Sequence, residues 1–134
     1  MTQEEKDLLI KDLCARLPYG VKCSFGVDDA IYEICGINPM CCGASEIQAT
    51  HIKSGINGDF TINACKPYLF PLSSMTEEQK IIYGDLCYQI INATPFEIQN
   101  CFNELYDWFI KNNFDYQGLI PMGLAIDATN LNVY

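Results

Sequence analysis

Residues 66–80 read KPYLFPLSSMTEEQK, and this connector separates two segments with different periodicities. Before it, from residue 19 to residue 65, apolar and polar side chains alternate with the period of two that is typical of β-strands. At the end of the connector, Thr76-Glu-Glu-Gln79 has the form of a capping box, in which two side chains satisfy free backbone N–H groups at a helix start. Strands followed by helices predict an α+β fold.

Caps and apolar stripes predict three helices. A capping box at Thr2 begins the N-terminal one, which lies within 1–17, and Thr94-Pro95 begins the last, since proline suits the first helical position. The few residues between the second and third helices predict an antiparallel helical hairpin within 76–112. The predicted helices are 3–16, 77–91 and 95–111.

The alternating segment predicts a four-stranded antiparallel meander, curved like a small partial barrel. Its strands form a hairpin over 20–37, then continue through 47–52 and 60–64. The tail, 113–134, is apolar enough to dock on the core. A chain of 134 residues is expected to form a single domain, 1–134.

Acidic residues outnumber basic ones, and the formal net charge is −9. The eight lysines and arginines are scattered, so we expect no direct nucleic-acid binding and no membrane contact, but a surface suited to a basic partner. The first residues, MTQEEKDLLIKDL, carry acids where a signal peptide carries basic residues. The expected location is the cytoplasm.

Eight cysteines raise the question of a thiol or metal site. The sequence contains no C-x-x-C pair and a single histidine, His51, so we predict no metal ligands, no cofactor and mostly reduced, structural thiols. Cys14, Cys23 and Cys101 lie at positions of the predicted helices and strands where an apolar residue would fit, as expected for structural thiols. Cys41 and Cys42 are the candidates for a reactive thiol, because their Pro and Gly flanks predict an exposed loop.

Four aromatic residues lie outside the predicted helices and strands: Tyr68, Phe70, Tyr116 and Tyr134. Aromatic side chains in such places either attach a connector to the core or anchor a partner. These four are therefore the candidate partner-binding residues. No catalytic motif accompanies them, so no catalytic residue is predicted.

Three stretches together resemble a known family: LCARLPYGV (13–21), the connector 66–80, and DWFIKNNFDYQGLIPMGLAIDA (107–128). The chain resembles short uncharacterised proteins of gut Bacteroidales bacteria and their phages and prophages. It departs from the family pattern at Phe109 and Ile110, and at Gln117, where arginine is expected. The resemblance implies a phage or mobile-element accessory protein and identifies no functional residue.

We therefore expect a non-enzymatic protein-interaction module whose partner is a host or phage protein with a basic surface. Two alternatives stay open: a structural virion component, and a small thiol- or metal-dependent enzyme. The sequence does not determine the oligomeric state.

Overall fold

The computed structural model describes residues 1–27, 29–38 and 47–134. Within these ranges the chain forms three α-helices and six β-strands. The helices are α1 (Gln3–Arg16), α2 (Glu77–Ile91) and α3 (Ile98–Lys111). The strands are β1 (Lys22–Ser24), β2 (Tyr32–Ile37), β3 (Ile47–His51), β4 (Asn57–Phe60), β5 (Lys66–Leu69) and β6 (Ile126–Asp127).

The described strands form an open, mostly antiparallel sheet in the order β4-β3-β2-β1-β5-β6. Its first four strands are the predicted meander, and the α+β fold is confirmed. Two further strands extend the sheet. The connector supplies β5, which is antiparallel to β1, and the tail supplies β6, which is parallel to β5.

The fourth strand begins earlier than the alternation predicted. It covers Asn57–Phe60, and residues 62–64 form a 3-10 turn instead of continuing it. The turn before β4 is tight, because Gly55 adopts a φ of +71° and donates its N–H to the His51 carbonyl at 2.8 Å. The strand therefore resumes at Asn57, whose amide oxygen accepts a 2.6 Å hydrogen bond from the Thr50 hydroxyl.

The third helix begins later than predicted. Residues 95–97 form a turn, and α3 starts at Ile98, with a hydrogen bond from the Ile98 N–H to the Thr94 carbonyl at 3.0 Å. Glu97 occupies the N-cap without a side-chain cap, so the predicted start at Thr94-Pro95 is wrong by three residues. The boxes at Thr2 and Thr76 are both complete, and α1 and α2 have the predicted bounds.

The core has a main part and smaller satellites. The main cluster packs Leu9 and Leu13 of α1 against Val21, Ile34 and other apolar residues from the sheet and tail. A separate cluster joins α3 to the tail through Leu105, Phe109 and Phe114, and α2 contributes to it only partly buried side chains, Leu86 and Ile90. The hairpin is therefore attached through α3, and α2 lies on its outer side.

Candidate partner-binding surface

One face of α2 is occupied by α3. Tyr83 packs against Trp108 and Phe109, with ring centroids 6.4 and 5.8 Å apart. A hydrogen bond with Cys87, one turn further along α2, raises the pKa of Tyr83. Leu86 and Ile90 lie one turn apart on the same face. These contacts fix the orientation of α2 and determine which of its residues point outward.

The opposite face of α2 is apolar and exposed. Ile81 is 66% exposed, Tyr88 68% and Ile91 80%, and Phe96 in the following loop is 95% exposed. None of the fifteen residues of α2, all of them within the described ranges, is buried. Isolated exposed apolar residues are ordinary, but contiguous ones mark interaction surfaces. We call Ile81, Gly84, Tyr88, Ile91 and Phe96 the outer seam.

At about 100° per helical residue, exposed acidic side chains lie along one flank of the outer seam and near its two ends, and we call them the acidic rim. Glu77, Glu78 and Asp85 of α2 are exposed, and so is Glu97, the residue after Phe96. Lys80 is held 3.0 Å from Glu77 by a solvent-exposed ion pair, which offsets part of that charge. Over 76–112 the sequence has six acidic residues and two lysines. A partner of opposite charge fits this rim.

The four aromatic residues predicted as partner contacts attach the connector and tail to the rest of the fold. Tyr68 is buried in β5 beside Ala128 and Val133. The Tyr134 hydroxyl donates to the Tyr68 carbonyl at 2.8 Å and accepts from the Lys22 N–H at 3.1 Å. Burial of this hydroxyl raises the pKa of Tyr134 to about 12. Both tyrosines thus have structural roles.

Phe70 and Tyr116 also make contacts within the chain. The Phe70 N–H donates to the Asn113 carbonyl, and its carbonyl accepts from the Asp115 N–H, each at 2.8 Å. The Tyr116 ring stacks on Phe109 with centroids 5.7 Å apart. Burial raises the pKa of Tyr116. Packing accounts for these positions, and partner binding through the four aromatics stays a prediction.

The six described thiols range from buried to exposed: Cys23 and Cys65 are buried, Cys87 and Cys101 are half-buried, and Cys14 and Cys35 are exposed. A hydrogen bond between Cys23 and Cys65, with burial, raises the pKa of Cys23 above its usual range, so this thiol is a poor nucleophile. Cys14 was expected to be an apolar, buried position but is exposed, because it lies on the side of α1 away from Leu9 and Leu13. Cys41 and Cys42, the candidate reactive thiols, lie outside the described residues.

His51 is half-buried and closes the turn between β3 and β4. Its Nδ1 accepts from the Ser54 N–H at 3.1 Å and lies 2.6 Å from the Ser54 hydroxyl oxygen. A histidine beside a serine is one element of a nucleophilic site. Here the same two contacts define the turn geometry, which is a sufficient structural reason for both residues.

Comparison with protein-family models, with curated proteins and with solved structures finds no match to this chain. Across residues 1–27, 29–38 and 47–134, no cluster of His, Cys, Asp or Glu is arranged to hold a metal ion. No helix in the same ranges has both the length and the apolar character needed to cross a bilayer.

The outer seam was missed by the sequence interpretation, although a signal for it exists. Ile81-Ile82 and Ile90-Ile91 are adjacent apolar pairs on one helix. Successive helical residues point about 100° apart, so one inner face cannot cover both members of each pair. The spacing of Ile82, Leu86 and Ile90 predicts a single inner stripe. In the structure Leu86 and Ile90 face α3 together with Tyr83, whereas Ile82 is 45% exposed.

Proposed function

We propose that this chain is a non-enzymatic protein-interaction module that binds a partner with a basic surface on the outer seam. The observation that carries this proposal is the exposure of Tyr88, Ile91 and Phe96 beside the exposed carboxylates of the acidic rim. Aromatic and large aliphatic side chains at the centre of a polar rim are the usual composition of an interface that binds a partner.

The apolar and acidic parts have separate roles in this proposal. Moving one large apolar side chain from water into an interface contributes about 1.5–3 kcal/mol, so the seam provides affinity. The rim charges speed the encounter with a basic partner and disfavour acidic ones. The resemblance to phage-associated proteins supports a cytoplasmic setting in a bacterial cell and a host or phage protein as the partner.

Site-specific photocrosslinking tests the proposal. A benzophenone amino acid replaces Tyr88 in one variant and Phe96 in another, and each is irradiated in lysate of the source organism. We expect one dominant adduct, shared by both positions, and a protein with a basic surface when it is identified by mass spectrometry. A host protein in that adduct would support the accessory role, and a virion protein would support the structural virion component.

Ile56 is the matched control position. It is 69% exposed, close to the 68% of Tyr88, but lies in the β3–β4 turn. The same photoreactive residue at position 56 should give no shared adduct. Equal labelling from positions 56, 88 and 96, or a dominant partner with an acidic surface, would contradict the proposal.

A further inference from the structure

The geometry points to the kind of element that occupies the outer seam. We propose that it is an amphipathic α-helix with lysine or arginine along its flanks, lying along α2 as the third helix of a bundle with α2 and α3. This inference rests on the proposed function, because it specifies the partner element for the same surface.

The spacing of the seam residues carries the inference. Ile81, Gly84, Tyr88 and Ile91 are separated by three, four and three residues. This is the a/d spacing with which one helix packs along another. The inner residues Tyr83, Leu86 and Ile90 have the same spacing and already pack on a helix, α3. α2 thus has residues with helix-packing spacing on two faces. The inner face is covered by α3, and the outer seam is covered by no helix of the described chain.

Gly84 is the second observation. It lies in the middle of α2, where glycine costs roughly 0.5–1 kcal/mol relative to alanine. Its φ is outside the left-handed region, and a Cβ at this position would meet no atom within 4 Å among the described residues. Packing within the described chain therefore does not require glycine here. On the seam, between Ile81 and Tyr88, the missing side chain leaves a hole that a large partner side chain can enter.

The charges decide between a foreign helix and a second copy of this chain. Pairing two copies through the seam would bring one acidic rim against another, which is repulsive. A helix with basic flanks meets Glu77, Glu78 and Asp85 with opposite charge. The last turn of α2 contains no basic residue, so its terminal carbonyl groups also favour a cation near Ile91 and Phe96.

Two synthetic peptides of about three heptads serve as probes, with leucine at the a and d positions and flanks that are either lysine or glutamate. Binding to the full chain is measured by fluorescence anisotropy, and peptide helicity by circular dichroism. We expect the lysine-flanked peptide to bind and gain helicity. The glutamate-flanked peptide should bind at least about tenfold more weakly, a difference of about 1.4 kcal/mol.

Gly84→Gln separates binding from folding. Glutamine is a better helix former than glycine, so we expect the variant to unfold at a higher temperature. Its side chain fills the hole, so we expect the lysine-flanked peptide to bind about tenfold or more weakly. Gln89→Ala is the matched control on the same helix, because Gln89 is exposed but outside the seam; it should leave binding unchanged.

Three results would overturn the inference: equal peptide affinity for Gly84→Gln and the wild-type chain, binding without gain of peptide helicity, or dimerisation of the wild-type chain that Gly84→Gln abolishes. The last result would assign the seam to a second copy. The crosslinking experiment tests the proposed function separately from this inference. If positions 88 and 96 capture a basic partner through an extended segment, the helical partner is wrong but the interaction module stands. If the two positions share no adduct, the interaction module itself is wrong.

Discussion

At the scale of single residues, Arg16 is the largest side chain that is fully buried among the described residues, and Asp12 balances its charge. The Arg16 Nε donates to Asp12 at 2.7 Å, and its Nη2 donates to the Phe114 carbonyl at 2.7 Å. The Gln117 amide donates to Asp12 at 3.1 Å. This network joins α1 to the tail across the core. Removing one charge leaves the other buried without its partner.

We therefore expect Asp12→Asn to lower the free energy of unfolding by about 3–5 kcal/mol, measured by urea denaturation. Asp7→Asn is the control on the same helix, because Asp7 is exposed, and it should change stability by less than about 0.5 kcal/mol. The double variant Asp12→Leu with Arg16→Met should recover much of the loss, since apolar replacement of both charges is often neutral. Equal losses for Asp12→Asn and Asp7→Asn would show that the pair does not contribute to stability.

Tyr134 gives the fold an alkaline pH dependence. Its pKa is about 12 in the folded chain, against an ordinary value of 10.0. Between these values the folded state binds one more proton than the unfolded state, so this contribution is complete below pH 10 and is lost as the pH rises towards 12. We expect Tyr134→Phe to make the fall in unfolding free energy shallower over this window. Identical slopes for both proteins in urea denaturation would contradict the assignment.

At the scale of elements, α2 depends on its own sequence more than α1 does. α1 buries Leu9 and Leu13, whereas α2 buries no residue of its described length, so capping is a larger part of its stability. We expect Thr76→Ala to cost about 1 kcal/mol and to accelerate amide hydrogen exchange in α2. Thr2→Ala removes the equivalent cap from α1 and should leave exchange in α2 unchanged. Unaltered exchange in α2 after Thr76→Ala would show that packing on α3 dominates.

The ends of some helices could be predicted from the sequence and the ends of other elements could not. Capping boxes at Thr2 and Thr76 are local signals, and both helices begin where those signals lie. The start of α3 and the position of β4 depend on how a turn closes, which a repeated pattern of apolar residues does not specify. The adjacent isoleucines of α2 indicate that this helix has two apolar faces. Which face is covered and which is exposed depends on where α3 packs, and the sequence of α2 alone does not specify that.

At the scale of the whole molecule, β5 and β6 pair residues far apart in the chain. Tyr68 pairs with Ile126, and neither segment has the alternation of an isolated strand. Pro67 made a strand there improbable from the sequence, since proline lacks an N–H. In the structure Pro67 lies opposite Cys23 of β1, and the pairing with β6 begins at the next residue, Tyr68. Such long-range pairing is determined by the assembled core and has no local signal.

The net charge of −9 applies to the molecule as a whole and predicts a salt dependence of stability. Excess like charge destabilises a folded chain by self-repulsion. We expect the unfolding temperature to rise as NaCl increases from ~0.01 M to ~0.15 M, where the Debye length falls from about 30 Å to about 8 Å. Near the isoelectric pH the effect should vanish. A fall in the unfolding temperature with salt at neutral pH would mean that attractive pairs outweigh the repulsion.

Salt, which is expected to raise the stability of the chain, should weaken its binding to a basic partner. Long-range attraction accelerates the approach of a basic partner, while the apolar seam holds it after contact. Over the same salt range we expect the association rate of the lysine-flanked peptide to fall by about tenfold or more and its dissociation rate to change little, measured by stopped-flow fluorescence. Phe96→Ser should do the reverse, raising the dissociation rate with a small effect on association, because it removes apolar contact and no charge. If salt acts mainly on dissociation, the acidic rim forms close ion pairs with the partner and does not steer it from a distance.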